Sequence, residues 1–274
     1  MSVQSAGTGR GVTTTSLREM KRRGEKIAAL TAYDYLFARL VDEAGTDVVL
    51  VGDSLAQVVL GYDSTLPVTL DDMIHHARAV RRGVRRALLV VDLPFLTYQV
   101  SREEASRNAG RVLKETGAAA VKLEGGSPEI ADTIRDLVRV GIPVMAHLGF
   151  TPQSVNTIGT RVQGREEGGL ERLLAEARAV EDAGAFSVVL ELVPGPIAAA
   201  VTASLSIPTI GIGAGAGCDG QVLVLHDMLG LNEGFTPRFL RRFGELGEAT
   251  RAAVGGYVEA VRSGEYPAAE NTFE

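Results

Sequence analysis

The stretch "KETGAAAVKLEGGSP" (114–128) decides how this chain reads. A helical segment ends at Gly117, a short apolar run follows, and Pro128 opens the next helical segment; glycine just past a helix and proline just inside one are boundary signals. Side chains alternate across a strand, so Lys122 and Glu124 point to one face while Val121 and Leu123 point to the other. If both faces are covered, two charges sit where desolvation is costly unless a partner compensates.

The same alternation repeats outward in both directions. Apolar β-type runs fall at 27–31, 48–51, 87–91, 119–123, 143–147, 186–190, 208–211 and 221–225. Helical periods fall at 33–44, 70–83, 103–116, 128–140, 169–183, 196–204 and 237–261. Strand, helix, strand at this spacing means parallel strands with crossover helices, and eight such strands predict a closed (β/α)8 TIM barrel. A doubly wound open sheet is the alternative. Residues 53–69, with "GYDSTLPVT", read as a loop over the barrel mouth, and the glycine-rich link between the last two strands shows no helix.

At 274 residues a single barrel domain is expected, with a flexible N-terminal arm over about 1–16 and a C-terminal helix and tail over about 237–274. With 45% hydrophobic and 23% charged residues and a net charge of −6, the chain has the composition of a soluble globular protein. The mildly acidic balance argues against nucleic acid or an anionic membrane as partner, leaving a small molecule or another copy of the chain. The lone Cys218 excludes an intramolecular disulfide and a multi-cysteine metal site. The opening "MSVQSAGTGRGVTTTS" carries no signal-peptide pattern, and Pro194, Pro196 and Pro208 break the uncharged stretch 192–218, so no membrane segment is expected and the cytoplasm is the expected compartment.

In a (β/α)8 barrel the active site lies at the C-terminal strand ends. Five successive runs stop on ionisable residues there: Asp53, Asp92, Glu124, His147 and Glu191. Any one of them could simply cap a helix; five on one rim point to a site. Asp53, Asp92 and Glu124 come from neighbouring strands, and three acids without a cysteine suit a hard, oxygen-liganded cation such as Mg²⁺. Lys122, one of only four lysines beside 24 arginines, faces the same interior. It could neutralise a substrate carboxylate, pair with the acids, or form a Schiff base, with carboxylate binding ranked first. Glu191 is flanked by Leu190, Leu192 and Val193, a setting that raises a carboxyl toward the range of a useful general base. His147 reads as a donor to substrate oxygen or a satisfied core histidine. "GIGAGAG" (211–217) fails dinucleotide and phosphate-loop spacings, "HH" (75–76) sits in a helix where sequence neighbours diverge, and "RRGVRR" (81–86) reads as a solvated helix end.

Taken in order, "TAYDY" (31–35), "LVGDS" (50–54), "GYDSTLPVT" (61–69), "DLPF" (92–95), "VKLEGG" (121–126), "HLGFTPQSVN" (147–156), "VQGR" (162–165), "GIGAG" (211–215) and "DGQVLV" (219–224) closely resemble the ketopantoate hydroxymethyltransferase family. The resemblance implies a (β/α)8 barrel of the phosphoenolpyruvate/pyruvate-binding type. It implies transfer of a hydroxymethyl group from 5,10-methylenetetrahydrofolate to 3-methyl-2-oxobutanoate through a Mg²⁺-stabilised enolate, in pantothenate and coenzyme A synthesis, by a homo-oligomer, usually a decamer. It carries metal ligands onto Asp53, Asp92 and Glu124, oxoacid contacts onto Asp53, Ser54, Asp92 and Lys122, a substrate-pocket histidine onto His147 and the proton acceptor onto Glu191. Ala56, "AGCDGQ" (216–221) and Asn271 depart from the family pattern without touching these acids. The rivals are a Mg²⁺-dependent oxoacid lyase or mutase on the same barrel, whose usual "KKCGH" motif is absent, and a catalytically silent oxoacid-binding barrel.

Overall fold

The computed structural model describes residues 11–273, so positions 1–10 of the expected arm lie outside the described residues. Eight parallel strands pair in sequence order and the last closes on the first: β1 (Ile27–Thr31), β2 (Val48–Val51), β3 (Leu88–Asp92), β4 (Ala120–Glu124), β5 (Val144–Gly149), β6 (Ser187–Glu191), β7 (Thr209–Ile212) and β8 (Gly220–Leu223). Closure decides for the barrel over the open sheet. Each strand lies within two residues of its expected bounds.

The helices around the strands start and stop for local reasons. They are α1 (Thr14–Arg23), α2 (Tyr35–Glu43), α3 (Leu55–Val58), α4 (Leu70–Gly83), α5 (Arg102–Thr116), α6 (Pro128–Arg139), α7 (Val155–Ile158), α8 (Gly169–Asp182) and α9 (Gly195–Ser204). Asp34, Thr69, Ser101 and Ser127 each accept a backbone N–H at the start of α2, α4, α5 and α6. At the other end of α5, Gly117 takes a left-handed conformation with φ 72° that a residue with a Cβ adopts only at a cost. The chain then enters β4 as the sequence implied.

The inner faces of the strands fill the barrel. Ile27, Val48, Leu88, Ala120, Met145, Phe186 and Ile210 belong to one buried cluster. Ala120 starts the alternation that continues with Lys122 and Glu124, so both charges rise from the top of an apolar interior. Register aligns Asp92 with Lys122, Glu124 with His147 and Gly149 with Glu191. The polar residues thus form a continuous arc on one rim.

Two expectations about the ends are corrected. The arm gives way to α1, whose Leu17 is fully buried in the same cluster, with Val12 and Met20 packed beside it. A capping box between Thr13 and Ser16 starts that helix. The chain divides into two compact units, the second beginning at Leu225. That unit holds α10 (Leu225–Met228) and α11 (Leu246–Ser263). The expected helix from 237 starts nine residues later because Phe243 N–H donates to the Met228 carbonyl (2.7 Å) and Leu246 N–H to the Leu229 carbonyl (2.8 Å). Among the described residues no helix is long and apolar enough to cross a membrane.

Candidate active site

Five neighbouring strands each contribute to one buried polar network. Asp53 follows β2, and its backbone N–H donates to Asp92 Oδ2 at 3.0 Å. Lys122 Nζ lies 2.9 Å from Asp92 Oδ1. Beside Asp53, Ser54 Oγ shares a 2.8 Å hydrogen bond with the Tyr33 hydroxyl. Glu124 Oε1 is 3.4 Å from His147 Nδ1, and His147 Nε2 is 3.3 Å from Glu191 Oε2. His147 therefore spans the gap between the acids of β2–β4 and Glu191 on β6.

Two residues that the strand pattern did not single out tie this arc together. The Gln153 side-chain amide donates to Asp53 Oδ2 at 2.9 Å and to the Leu93 carbonyl at 3.0 Å, while its backbone N–H donates to Glu124 Oε2 at 3.0 Å. The Tyr98 hydroxyl donates to Gln153 Oε1 at 2.9 Å and accepts the Glu124 backbone N–H at 3.1 Å. One buried glutamine thus holds two carboxylates from opposite ends of the acidic group. Gln153 lies within "HLGFTPQSVN" (147–156), yet no periodicity marks it, because it occupies a single 3-10 turn, Pro152–Ser154.

The geometry around Glu191 depends on a glycine. Gly149 lies opposite Glu191 in the register and has φ 91°, and a Cβ there would run into the Glu191 carbonyl oxygen. That carbonyl accepts the Phe150 N–H at 2.8 Å. Next to it, Leu192 adopts φ 49°, an uncommon backbone for a branched residue, at the point where the chain leaves the strand.

Electrostatics distinguish the members. Asp53, Asp92 and Glu124 are all at most 5% exposed. Burial, reinforced by Asp92 and Glu124, pushes the Asp53 carboxyl up to about 8. Burial also raises Asp92, against the opposing pull of Lys122. Burial works to raise Glu124 as well, yet the close His147 ring, with help from Lys122 and the Gln153 backbone N–H, holds it below its ordinary value. For Lys122 the desolvation that would lower an amine is outweighed by Asp92, Glu124 and Asp53, so it stays protonated. Burial and Lys122 oppose a charge on His147, but contacts with Glu124 and Glu191 prevail and raise it to about 9. With the ring charged, both ring N–H groups face carboxylates, and the 3.3 Å approach of Lys122 Nζ to Nδ1 is a like-charge contact rather than a hydrogen bond.

These observations also test the fit of a cation. Asp92 Oδ1 and Glu124 Oε1 are buried with ion-pair contacts but no aligned hydrogen bond. Protonation of Asp53 near neutrality marks a local excess of negative charge. Oxygen-only donors with that excess match a hard divalent cation. Among the described residues, however, no three such side chains stand already arranged around one point for a metal. The donor set fits Mg²⁺, while its arrangement is that of side chains engaged with Lys122, Gln153 and His147.

The remaining candidates take structural roles. His76 Nδ1 lies 2.7 Å from the Tyr33 carbonyl within the α4 packing. Cys218 is free and buried, and burial pushes its thiol up. Arg86 at the end of "RRGVRR" is more than a solvated helix end: its guanidinium donates to the carbonyls of Gly45 and Thr46 and pairs with Asp47 at 2.9 Å.

Residues 11–269 match the family model described as ketopantoate hydroxymethyltransferase. A relative from Syntrophus aciditrophicus (strain SB), named 3-methyl-2-oxobutanoate hydroxymethyltransferase, is 56% identical over 100% of both chains. Among solved structures, a 2,3-dimethylmalate lyase of the PEP mutase/isocitrate lyase superfamily is 20% identical with TM-score 0.58, covering 92% of this chain and 88% of its own. A phosphonopyruvate hydrolase in complex with oxalate and Mg²⁺ is 14% identical with TM-score 0.60, covering 95% and 93%. The two structures establish the barrel type and nothing finer.

Proposed function

Since the chain belongs to the ketopantoate hydroxymethyltransferase family, we propose that its barrel mouth carries a one-carbon unit from 5,10-methylenetetrahydrofolate to C3 of 3-methyl-2-oxobutanoate, forming ketopantoate. Asp53, Asp92 and Glu124 would hold Mg²⁺. A bound Mg²⁺ supplies Lewis-acid stabilisation for negative charge developing on the substrate's 2-oxo oxygen. The observation that carries this reading is the separation of roles along the arc: the charge-dense acids of β2–β4 sit on one side of His147 and Glu191 sits on the other.

The chain's own residues then have distinct tasks. Lys122 and Ser54 bind the oxoacid's carboxylate, and the fixed ammonium offsets its charge. Asp53 and Asp92 also contact the substrate. Glu191 takes the proton from C3 onto a carboxylate oxygen. His147, whose Nε2 lies 3.3 Å from Glu191 Oε2, places its ring against that carboxylate and positions it. The carbon nucleophile left at C3 then bonds to the donor's methylene carbon. One of the methylene carbon's two bonds to folate nitrogen breaks as the donor opens for that attack; water then displaces the second nitrogen and leaves its hydroxyl on the carbon, and the proton taken from C3 and one from water return to the two nitrogens as tetrahydrofolate departs.

The reading includes a homo-oligomer in the cytoplasm, a decamer by the family resemblance. Val254, Tyr257 and Val261, all exposed at helical spacing on α11, support self-association. Light scattering on the purified protein tests that part.

The chemistry is tested by proton NMR of 3-methyl-2-oxobutanoate in D₂O. Native protein with Mg²⁺ should exchange deuterium into C3 without any folate, and adding the donor should yield ketopantoate. Glu191→Gln should bind the oxoacid yet exchange about 10²- to 10⁴-fold more slowly, the usual contribution of a positioned base. Native-like exchange in that variant would remove Glu191 from the proton-transfer step.

A further inference from the structure

The stretch "VQGR" (162–165) takes no part in the acidic network. Its Val162, Gln163 and Arg165 line a cavity of about 400 Å³ together with Ile158, Arg161, Arg172 and Glu166, the last neutralised by Arg172. That volume lies in the range of small-molecule sites. The cavity wall is fixed to the strand end that carries the proposed base, because Gln163 N–H donates to the Leu192 carbonyl at 2.8 Å, one residue beyond Glu191. Arg172 is occupied by Glu166 and Glu176, at 2.6 and 3.0 Å. The guanidinium groups of Arg161 and Arg165 have no carboxylate partner among the described residues.

The reaction restricts where the second substrate can approach. C3 gives its proton to Glu191 and receives the one-carbon unit at the same atom, so the donor must reach the sector of β5 and β6. The far end of a folate carries one or more glutamates, and those carboxylates call for cationic partners outside the β2–β4 acids, which are already engaged with Lys122, Gln153 and His147. We propose that the cavity beside "VQGR" receives the glutamyl carboxylates of the folate donor, with Arg161 and Arg165 as their cationic partners. Ile158 and Val162 offer apolar surface to the aminobenzoyl stem. Guanidinium groups suit this task because they bind carboxylates in a planar, bidentate manner. The assignment rests on the folate-dependent reading above and adds the location of the donor's anionic end.

The test compares 5,10-methylenetetrahydrofolate carrying one glutamate with the same donor carrying five. The proteins are the native enzyme, the double variant Arg161→Ala/Arg165→Ala, and the charge-keeping Arg161→Lys/Arg165→Lys. Native enzyme should show a lower donor KM for the longer tail, with the advantage shrinking as salt is raised. The alanine pair should raise the donor KM about tenfold and erase the tail-length advantage, while the lysine pair should restore part of it. Oxoacid binding by calorimetry and thermal melting establish that each variant is folded. An unchanged donor KM in a folded alanine variant overturns the cavity assignment and leaves the function standing. Native enzyme that exchanges C3 but makes no ketopantoate with either donor overturns both.

Discussion

Gln153 is the residue whose removal should tell most about the acidic arc. Its amide holds Asp53 and its backbone N–H holds Glu124, so Gln153→Leu frees one carboxylate and leaves the other bonded. We expect Mg²⁺ affinity, measured by calorimetry with the oxoacid present, to fall about 10- to 100-fold, the range seen when groups that orient metal ligands are lost. Affinity equal to native would show that Asp53 needs no such support. At Lys122 the ion pair with Asp92 favours an ammonium over a nucleophile. Borohydride added with the oxoacid should therefore leave the protein's mass unchanged, and Lys122→Met should raise the oxoacid's dissociation constant; a trapped adduct would reverse the assignment. Asp92, Glu124 and Glu191 were legible in the sequence because each ends an apolar run, and period two fixes which way such a residue points. Gln153 and Tyr98 were not, because one lies in a single 3-10 turn and the other in a loop, where no period assigns a direction, and only the closed barrel brings them against Glu124.

At the scale of elements, the β5–β6 pair has almost no tolerance. Gly149→Ala would drive a methyl group into the Glu191 carbonyl and demand a left-handed backbone from alanine. Such a clash should cost ~1–3 kcal/mol of stability and displace Glu191, so turnover should drop more than melting temperature would suggest. Turnover in proportion to the folded fraction would mean the strand end adjusts without moving the carboxylate. A different element limit appears at α1, which the sequence concealed because its ten residues bury only Leu17 completely. Leu17 and Met20 are the only large apolar side chains in this polar stretch, too short a stripe to stand out in the sequence. Leu17→Ala should nonetheless cost ~2–5 kcal/mol by denaturant unfolding, as for other fully buried leucines. The delayed start of α11 has the same origin in reverse: residues between Pro237 and Glu245 have helical composition, but their neighbours at 243 and 246 satisfy backbone groups of Met228 and Leu229 instead. The strands, by contrast, were legible almost to the residue, since continuous apolar runs bounded by glycine and charge leave little choice.

For the molecule as a whole, the unbalanced acids make stability respond to both protons and cations. In the unfolded chain the Asp53 carboxyl ionises near pH 4, whereas in the folded chain burial beside Asp92 and Glu124 delays this to about 8. Between those values the folded state holds the extra proton, so without a cation this group makes stability fall as pH rises through that window. His147 adds a loss at the upper end, because its favourable charge disappears as pH passes about 9. Melting temperature without Mg²⁺ should therefore decline from about pH 5 to pH 9. Saturating Mg²⁺ at pH 8 should raise it by on the order of 5 °C, the effect of a ligand at roughly a hundred times its dissociation constant. A melting temperature indifferent to Mg²⁺ would count against the arc as a cation site. The filled interior below that arc has a kinetic corollary. Leu17 and the buried cluster leave the tube stoppered at its lower end, so everything that enters must leave by the same door. Lys122 and Asp92 lie deeper than Glu191, whose side chain is 17% exposed. On the proposed folate-dependent reading, the oxoacid would descend first, the folate would settle above it, and ketopantoate would wait for tetrahydrofolate to depart. Such a queue would appear in steady-state kinetics as ketopantoate competing with 3-methyl-2-oxobutanoate but not with the folate, and competition against both would mean that the order is not enforced.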